Sequence, residues 1–175
     1  MGSAFIYKVV LAGDGGVGKT TLTQRYLSGV FFEDTRMTIG VGFHIHRAKL
    51  GEDDITLQIW DLGGQQQFQR MEVFSSYIKG ANGVIVTFDL TSVETLISLE
   101  NWLNLVCESV NNVPAVVVVG NKSDLVDERE VDDSLIQEFL EAHGNCPYFE
   151  TSALTGQNVE ESFIELMKMM RSKSD

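Results

Sequence analysis

The sequence has few cysteines, fewer basic than acidic residues, and no long hydrophobic run. Its two cysteines, Cys107 and Cys146, form neither a disulfide framework nor a metal-ligand spacing, which favours free thiols in a reducing compartment. With 13 basic against 25 acidic residues the formal charge is −12, which argues against nucleic acid or an anionic membrane as a partner held by general attraction. Any phosphate-binding site must therefore depend on a few neighbouring residues and not on the overall charge of the protein.

No apolar run reaches the roughly 18 residues that a membrane span needs. The longest, AVVVV at 115–119, has the length of a buried strand. We therefore expect a soluble, cytoplasmic protein, which would contact a membrane only if the full-length protein carries a lipidated tail. The 175 residues are enough for a sizeable core, and a single domain over residues 1–175 is predicted.

Short β-branched runs alternate with segments of helical periodicity along the chain. Predicted strands cover residues 6–11, 42–50, 55–60, 83–89, 115–121 and 148–150. Predicted helices cover residues 20–28, 67–79, 93–110, 133–142 and 159–171. Only the second and third strands lack a helix between them, and the acidic GEDD at 51–54 is typical of a hairpin turn. These two strands should pair antiparallel at one edge of a sheet.

The later strands, such as GVIVTFD and AVVVVGN, are apolar on both faces, which is typical of parallel strands covered by helices on each side. The prediction is a doubly wound α/β fold, with a six-stranded, mostly parallel sheet, one antiparallel edge strand and five helices. Ligands of such folds bind at the carboxyl ends of the strands. We therefore expect the chemistry in loops that follow strands.

The first of these loops reads GDGGVGKT, at 13–20, and lies between a strand and a helix. This is the spacing of a phosphate-binding loop, in which glycines let backbone N–H groups point at phosphate oxygens and the helix N-terminus adds positive potential. Lys19 would supply a full charge to the β- and γ-phosphates, and Thr20 a hydroxyl ligand for Mg²⁺. The alternative is an ordinary glycine-rich turn between a strand and a helix.

Two further loops bear on the choice of base: NKSD at 121–124 follows the fifth strand and TSAL at 151–154 follows the sixth. The Asp124 carboxylate can accept from both N1–H and the exocyclic amine of guanine, whereas adenine offers no such pair of donors. An exposed turn would favour the same residue types as NKSD. The position of NKSD after a parallel strand, downstream of a phosphate loop, favours guanine recognition.

With these motifs in place, the sequence resembles the Ras superfamily of small GTPases over nearly its whole length, and its middle most resembles the Rab branch. The resemblance implies the P-loop small GTPase fold, with GTP or GDP and Mg²⁺ bound. Phe31 would pack edge-on against guanine, the stem of Lys122 would lie over it, and Asn121 would hold the phosphate and base loops together. Implied nucleotide contacts are Asp14, Gly15, Gly16, Val17, Gly18, Lys19, Thr20, Thr21, Phe31, Thr38, Gly64, Asn121, Lys122, Asp124, Ser152, Ala153 and Leu154.

The resemblance also assigns roles near the γ-phosphate. TIGVGF at 38–43 resembles the end of switch I, where Thr38 would reach Mg²⁺ and the γ-phosphate only when GTP is bound. WDLGGQ at 60–65 resembles switch II, in which the Gly64 N–H would bond the γ-phosphate and Gln65 would orient the attacking water. The implied catalytic residues are Gln65, Lys19, Thr38 and Gly64. The implied metal ligands are Thr20, Thr38 and, through water, Asp61.

The implied function is a molecular switch that hydrolyses GTP slowly to GDP and phosphate and recruits effectors in the GTP state, in vesicle trafficking or signalling. Arg36 and Arg70 are expected to be surface residues without a catalytic part, so a GTPase-activating protein is implied, together with an exchange factor. Leu62-Gly63 replaces the Thr-Ala of the Rab and Ras branches and resembles the Arf branch. The alternative is an interaction module that holds GTP or GDP but hydrolyses GTP negligibly. A monomer is expected.

Aromatic residues suggest where partners bind. Strand alternation puts Trp60 on the polar face of its strand, and an exposed tryptophan beside a nucleotide switch suggests a partner surface. Phe43, Trp60 and Tyr77 match the triad that effectors contact in the Rab branch. The alternative is that these rings only pack the sheet edge. Trp102 is expected to be no more than a residue on the flank of a helix.

Overall fold

The computed structural model describes residues 2–33, 36–64 and 70–175. Within those residues the chain forms six strands and five α-helices. The strands are β1 (Ala4–Ala12), β2 (Val41–Leu50), β3 (Asp53–Leu62), β4 (Gly83–Asp89), β5 (Ala115–Asn121) and β6 (Tyr148–Glu150). The helices are α1 (Lys19–Ser28), α2 (Met71–Ile78), α3 (Val93–Ser109), α4 (Asp133–Ala142) and α5 (Val159–Lys173). None of these helices is both long and apolar enough to cross a bilayer.

The strands form one sheet in the order β2-β3-β1-β4-β5-β6. β2 and β3 pair antiparallel across a turn at Gly51, whereas β1 with β3, β1 with β4, β4 with β5 and β5 with β6 are parallel. This topology confirms the predicted doubly wound α/β fold and its antiparallel edge strand. The second helix was predicted from residue 67 but begins at Met71; residues 65–69 lie outside the described part of the chain.

The core is divided by strand alternation into two layers, one on each face of the sheet. On β1, Val9 and Leu11 pack with Phe163 of α5, whereas Val10 and Ala12 pack on the side of α2 and α3. β4 is buried along its whole length because helices cover both of its faces. The carboxyl ends of the parallel strands therefore meet at one edge of a rigid sheet.

One part of the sheet stays uncovered. α1 and α5 lie against one face, while on the other face α3 packs on β4 and on α2. As a result Ile6 on β1 and Ile45 on β2 are 67% and 62% exposed. This open face of β2, β3 and β1 adjoins the loops that follow β3 and precede β2.

Candidate functional site

The phosphate loop joins β1 to α1 with a backbone that requires glycine. Gly13 and Gly18 have φ angles of +143° and +97°, and a Cβ on either would overlap Thr87 or Asn121, respectively. Gly18 caps α1 without a side-chain hydrogen bond, and the first turn of the helix has no acidic residue. The N–H groups and positive potential of this helix end are therefore available to an anion.

Lys19 lies beneath the loop and is only 5% exposed. Its Nζ donates to the carbonyl oxygens of Gly13 and Asp14 at 2.8 and 2.7 Å. Burial lowers the pKa of Lys19 to about 8, although the carboxylates of Asp61 and Asp14 oppose that shift. A buried cation with neutral carbonyl partners is stabilised by a polyanion, as expected for a phosphate-binding lysine.

Three side-chain oxygens from separate segments meet beside Lys19. Thr20 Oγ1 lies 2.5 Å from Thr38 Oγ1 and 2.5 Å from Asp61 Oδ2. Asp61 is buried, its Oδ1 has no hydrogen-bond partner within the described residues, and burial raises its pKa. Hydroxyl and carboxylate oxygens are the ligands that Mg²⁺ prefers, and a cation would stabilise the unsatisfied carboxylate. The residues present therefore fit a magnesium site, and we refer to Thr20, Thr38 and Asp61 as the oxygen cluster.

Two adjoining cavities lie along the carboxyl edge of the sheet. The phosphate cavity has a volume of about 350 Å³, and the predicted contacts that line it are Gly15, Gly16, Gly18, Lys19, Thr20, Thr21, Thr38, Gly64 and Lys122. The base cavity has a volume of about 380 Å³, and the predicted contacts that line it are Gly18, Thr21, Phe31, Asn121, Lys122, Asp124, Ala153 and Leu154. The predicted contacts Asp14, Val17 and Ser152 line neither cavity.

Hydrogen bonds join the two ends of the site. Asn121 Nδ2 donates to the Val17 carbonyl at 3.0 Å, and Thr151 Oγ1 donates to Asn121 Oδ1 at 2.9 Å. Ser152 Oγ donates to Asp124 Oδ1 at 2.6 Å. Ser152 does not line the base cavity itself but orients the Asp124 carboxylate, which does. Asn121 thus bonds to both loops, as the resemblance implied.

Asp89, at the end of β4, is a functional residue that the sequence reasoning missed. Its Oδ2 lies 2.6 Å from Nζ of Lys122, and its Oδ1 accepts from the backbone and hydroxyl of Thr91 at 2.8 and 2.7 Å. Asp89 therefore holds the ammonium group of Lys122 in place. The backbone of Lys122 has a positive φ of 66°. The available signal was an acidic residue at the carboxyl end of a parallel strand, where this fold class binds ligands.

The expectation for Trp102 was wrong. Trp102 is fully buried in α3, and its Nε1 donates to Asp14 Oδ1 at 3.0 Å. Ser98 Oγ donates to the same oxygen at 2.8 Å. The Trp102 ring meets Phe74 of α2 edge-on, with ring centroids 5.7 Å apart. Helical periodicity could not reveal this role, because the hydrogen-bond partner lies 88 positions away in the chain.

The glycine-rich segment after β3 rests on the phosphate loop. The Gly15 N–H donates to the Gly64 carbonyl at 3.1 Å, and a Cβ on Gly64 would overlap the backbone of the phosphate loop. The Leu62-Gly63 departure is accommodated by the fold, since Leu62 is buried in the core and the Gly63 N–H donates to the Gly40 carbonyl at 2.9 Å. Gln65, predicted to be catalytic, lies outside the described residues with Gln66 and Gln67.

Arg36 is exposed, as expected of a surface residue, but it also lines the phosphate cavity together with Met37. A Cβ on Gly15 would overlap the end of the Met37 side chain. Arg70 is exposed and precedes α2. Of the two arginines named from the sequence, only Arg36 lies at the phosphate cavity.

Comparison with known proteins identifies the family to which this chain belongs. A family model described as "Ras family" matches residues 8–172. The chain belongs to the Ras family. The Ras-related protein Rab-30 of Homo sapiens is 40% identical over 162 residues, which cover 93% of this chain and 78% of that protein. The Ras-related protein Rab-1D of Dictyostelium discoideum is 38% identical over 173 residues, covering 97% of this chain and 81% of that protein.

The "GTP-binding protein ypt1" of Schizosaccharomyces pombe is 36% identical over 173 residues, covering 97% of this chain and 82% of that protein. These relatives assign the chain to the Rab branch of the Ras family. The chain is accordingly a small GTPase, an enzyme that binds guanine nucleotide and hydrolyses GTP. In a Ras-family GTPase, the phosphate and base cavities are the two halves of one nucleotide site.

Proposed function

We propose that this GTPase is a switch in vesicle trafficking, which recruits effector proteins in its GTP-bound form and hydrolyses GTP slowly. The observation that carries the proposal is the oxygen cluster, in which Thr38 and Asp61 meet Thr20 at 2.5 Å. Thr38 lies in the segment before β2, and Asp61 lies at the end of β3. Whatever binds at the cluster therefore restrains both segments at once, and loss of the terminal phosphate would release part of that restraint.

The oxygen cluster would hold Mg²⁺. An ion held by Thr20, Thr38 and Asp61 would supply positive charge that offsets the negative charge of the phosphates. Lys19 adds a second positive charge from below the phosphate loop, where burial and two carbonyl partners keep its ammonium in place. Backbone N–H groups of Gly15, Gly16 and Gly18 surround the phosphates from the other side.

Guanine is selected at the base cavity by Asp124, which accepts from both the N1–H and the exocyclic amine. The Ser152 hydroxyl holds one oxygen of that carboxylate at 2.6 Å and so fixes its orientation. The stem of Lys122 covers the base while Asp89 fixes its head group at 2.6 Å. The backbone N–H of Ala153 meets the guanine carbonyl, and the Phe31 ring packs against the edge of the base.

Hydrolysis proceeds by in-line attack of water on the γ-phosphate, with Gln65 orienting the water and the Gly64 N–H contacting the phosphate. The reaction is slow because its charge stabilisation is completed by an activating protein. In Ras-type GTPases, the class that this chain belongs to, the arginine of such a protein contributes roughly 10³- to 10⁵-fold. Gly15 has no Cβ where a side chain would crowd that arginine, and in this structure the end of the Met37 side chain occupies the same place.

Effectors bind the surface formed by Phe43, Trp60 and Tyr77. The Phe43 and Trp60 ring centroids are 4.8 Å apart, those of Trp60 and Tyr77 are 6.2 Å apart, and Phe43 is 47% exposed. Ile45, also on β2, extends the apolar surface. Phe43 follows Thr38 by five positions and Trp60 immediately precedes Asp61, so the surface is linked directly to the oxygen cluster. Trp60, expected to be exposed, is half-buried against the core together with Tyr77, and it is the exposure of Phe43 and Ile45 that argues against a role confined to packing the sheet edge.

The protein acts as one domain over residues 1–175 and as a monomer. An exchange factor replaces GDP by GTP, and a GTPase-activating protein ends the active state. The net charge of −12 opposes direct attraction of these residues to anionic lipid.

The test begins by extracting the nucleotide bound to the purified protein, identifying it by chromatography, and following phosphate release from GTP in a single turnover with Mg²⁺. We expect guanine nucleotide and slow release of one phosphate. Thr38→Ala should slow release by about tenfold, which corresponds to one hydrogen bond to a charged group. Thr56→Ala, the same change on β3 away from the oxygen cluster, is the control. Tight nucleotide binding without phosphate release would instead support the hydrolysis-deficient module.

A further inference from the structure

The carboxylate of Asp14 is an unexpected feature of the phosphate loop. The residues on its C-terminal side line the phosphate cavity, but the Asp14 side chain does not. It is held against α3 by two donors on one oxygen, Ser98 Oγ at 2.8 Å and Trp102 Nε1 at 3.0 Å. A carboxylate facing the phosphates would repel them, so both donors serve to keep this charge turned away from the nucleotide.

Trp102 contacts more than the phosphate loop. It is fully buried, and its ring meets the equally buried Phe74 of α2 at 5.7 Å and an interplanar angle of 64°. α2 is the helix that follows switch II. A single side chain on α3 is therefore bonded to the phosphate loop through its N–H group and packed against α2 through its ring.

The phosphate loop thus meets the switch II region in two places. The first, which we call the front contact, is the hydrogen bond that the Gly15 N–H donates to the Gly64 carbonyl at 3.1 Å. The second, which we call the rear contact, connects Asp14 through Trp102 to Phe74. Gly15 and Gly64 are both predicted phosphate contacts, so a bound γ-phosphate competes with the front contact. The rear contact is made by the carboxylate of Asp14, which does not line the phosphate cavity, so the γ-phosphate does not compete with it.

Resting on the proposed GTPase switch, we propose that Trp102 is a positioning residue of the GTPase reaction. By holding Asp14 against α3 and Phe74 on α2, it couples the position of the phosphate loop to that of the helix after switch II. The coupling keeps the backbone donors of the phosphate loop in register with α2. GDP lacks the γ-phosphate, so its binding should depend less on this register.

The test compares variants that break the bond at either end. Trp102→Phe removes the N–H but keeps an aromatic ring, and Asp14→Leu removes the acceptor while keeping the same number and branching of side-chain heavy atoms. Each should slow single-turnover phosphate release by about tenfold while changing GDP dissociation by less than about threefold. Asp14→Asn keeps an acceptor oxygen and should recover most of what Asp14→Leu loses. Ser98→Ala removes one donor from a half-buried position and should slow release by about threefold.

Val106→Ala is the control, because Val106 is fully buried one turn further along α3. It should lower the free energy of unfolding without slowing phosphate release. A residue that only packs the core would behave in the same way. The proposal is overturned if Ser98→Ala and Trp102→Phe behave as Val106→Ala does, that is, if they lower the free energy of unfolding but leave the rate of phosphate release from the folded protein unchanged.

A spectroscopic readout separates coupling from packing. The chain has two tryptophans, so its ¹⁵N-labelled indole spectrum has two signals, and Trp102→Phe identifies which belongs to Trp102. That signal should shift when GDP is replaced by a non-hydrolysable GTP analogue, and the shift should be lost in Asp14→Leu. An unshifted Trp102 signal would overturn the coupling while leaving the switch itself intact. If the proposed function were wrong, wild-type protein would itself show no GTP turnover.

Discussion

Exchanging one atom of Asp124 tests the base assignment. The Ser152 hydroxyl donates to Asp124 Oδ1 at 2.6 Å, which leaves Oδ2 with both lone pairs for guanine. In Asp124→Asn, we expect the amide oxygen to keep accepting from the Ser152 hydroxyl, which itself accepts from the Thr155 N–H at 3.1 Å, so that the NH₂ group takes the place of Oδ2. An acceptor facing two guanine donors is thereby replaced by a third donor.

The expected loss follows from the bonds removed. Hydrogen bonds to a charged group contribute about 1.5–3 kcal/mol each, so loss of the charge and of one or both bonds should cost about 3–4 kcal/mol, or roughly 10²- to 10³-fold in affinity for GDP. Xanthine carries a carbonyl where guanine has its amine, and this carbonyl accepts from the new NH₂ group. Affinity for xanthosine diphosphate should rise by a similar factor. Competition of GDP and of xanthosine diphosphate against a fluorescent guanine nucleotide measures both changes in affinity.

Asp127→Asn is the matched control, since Asp127 is an exposed carboxylate three residues further along. It should leave the preference for guanine unchanged. If Asp124→Asn also retained the wild-type preference for guanine over xanthine, Asp124 would not contact the base, and the assignment of the base cavity would be wrong.

Three further predictions address hydrolysis, the partner surface and pH. Gln65→Leu should slow phosphate release by at least about tenfold while the protein still retains nucleotide on chromatography; unchanged release would remove Gln65 from the mechanism. Trp60→Ala should weaken binding to proteins captured only by the GTP-loaded form by more than about tenfold, whereas unchanged capture by the GTP-loaded variant would refute a partner surface at Trp60. Burial, with the Glu160 carboxylate, raises the pKa of Tyr26 to about 12, so its contribution to stability is complete below about pH 10 and is lost toward pH 12. Tyr26→Phe should therefore reduce the fall in the free energy of unfolding between pH 10 and pH 12 in urea titrations, and an unaltered slope would exclude Tyr26 as its source.

The sheet could be predicted well from the sequence because its strands depend on local pattern. Residues 55–60 alternate apolar and polar side chains, and Ile55, Leu57 and Ile59 are all buried on one face of β3. β4 and β5 are apolar on both faces because helices cover both sides. Exposure on β2 was harder to predict, since Phe43 and Ile45 have the hydrophobicity of core residues yet lie on the face that α2 and α3 leave open.

The site could be predicted wherever a motif is contiguous. The residues of GDGGVGKT, NKSD and TSAL line or support the two cavities because each motif is a single turn after a strand. Asp89 and Trp102 were missed, since their roles depend on partners that only the fold brings near, namely Lys122 and Asp14. Periodicity shows which face of α3 is apolar, but the hydrogen-bond partner of a buried indole is a tertiary property.

The central claim is that the terminal phosphate of GTP restrains both the segment before β2 and the segment after β3. Hydrogen exchange of peptides covering residues 31–43 and 61–72, compared between the GDP form and the form with a non-hydrolysable GTP analogue, measures this most directly. Slower exchange in both segments with the GTP analogue, and little change in β4 and β5, is the predicted result. Equal exchange of both segments in the two forms would contradict a switch, even if both nucleotides bind tightly.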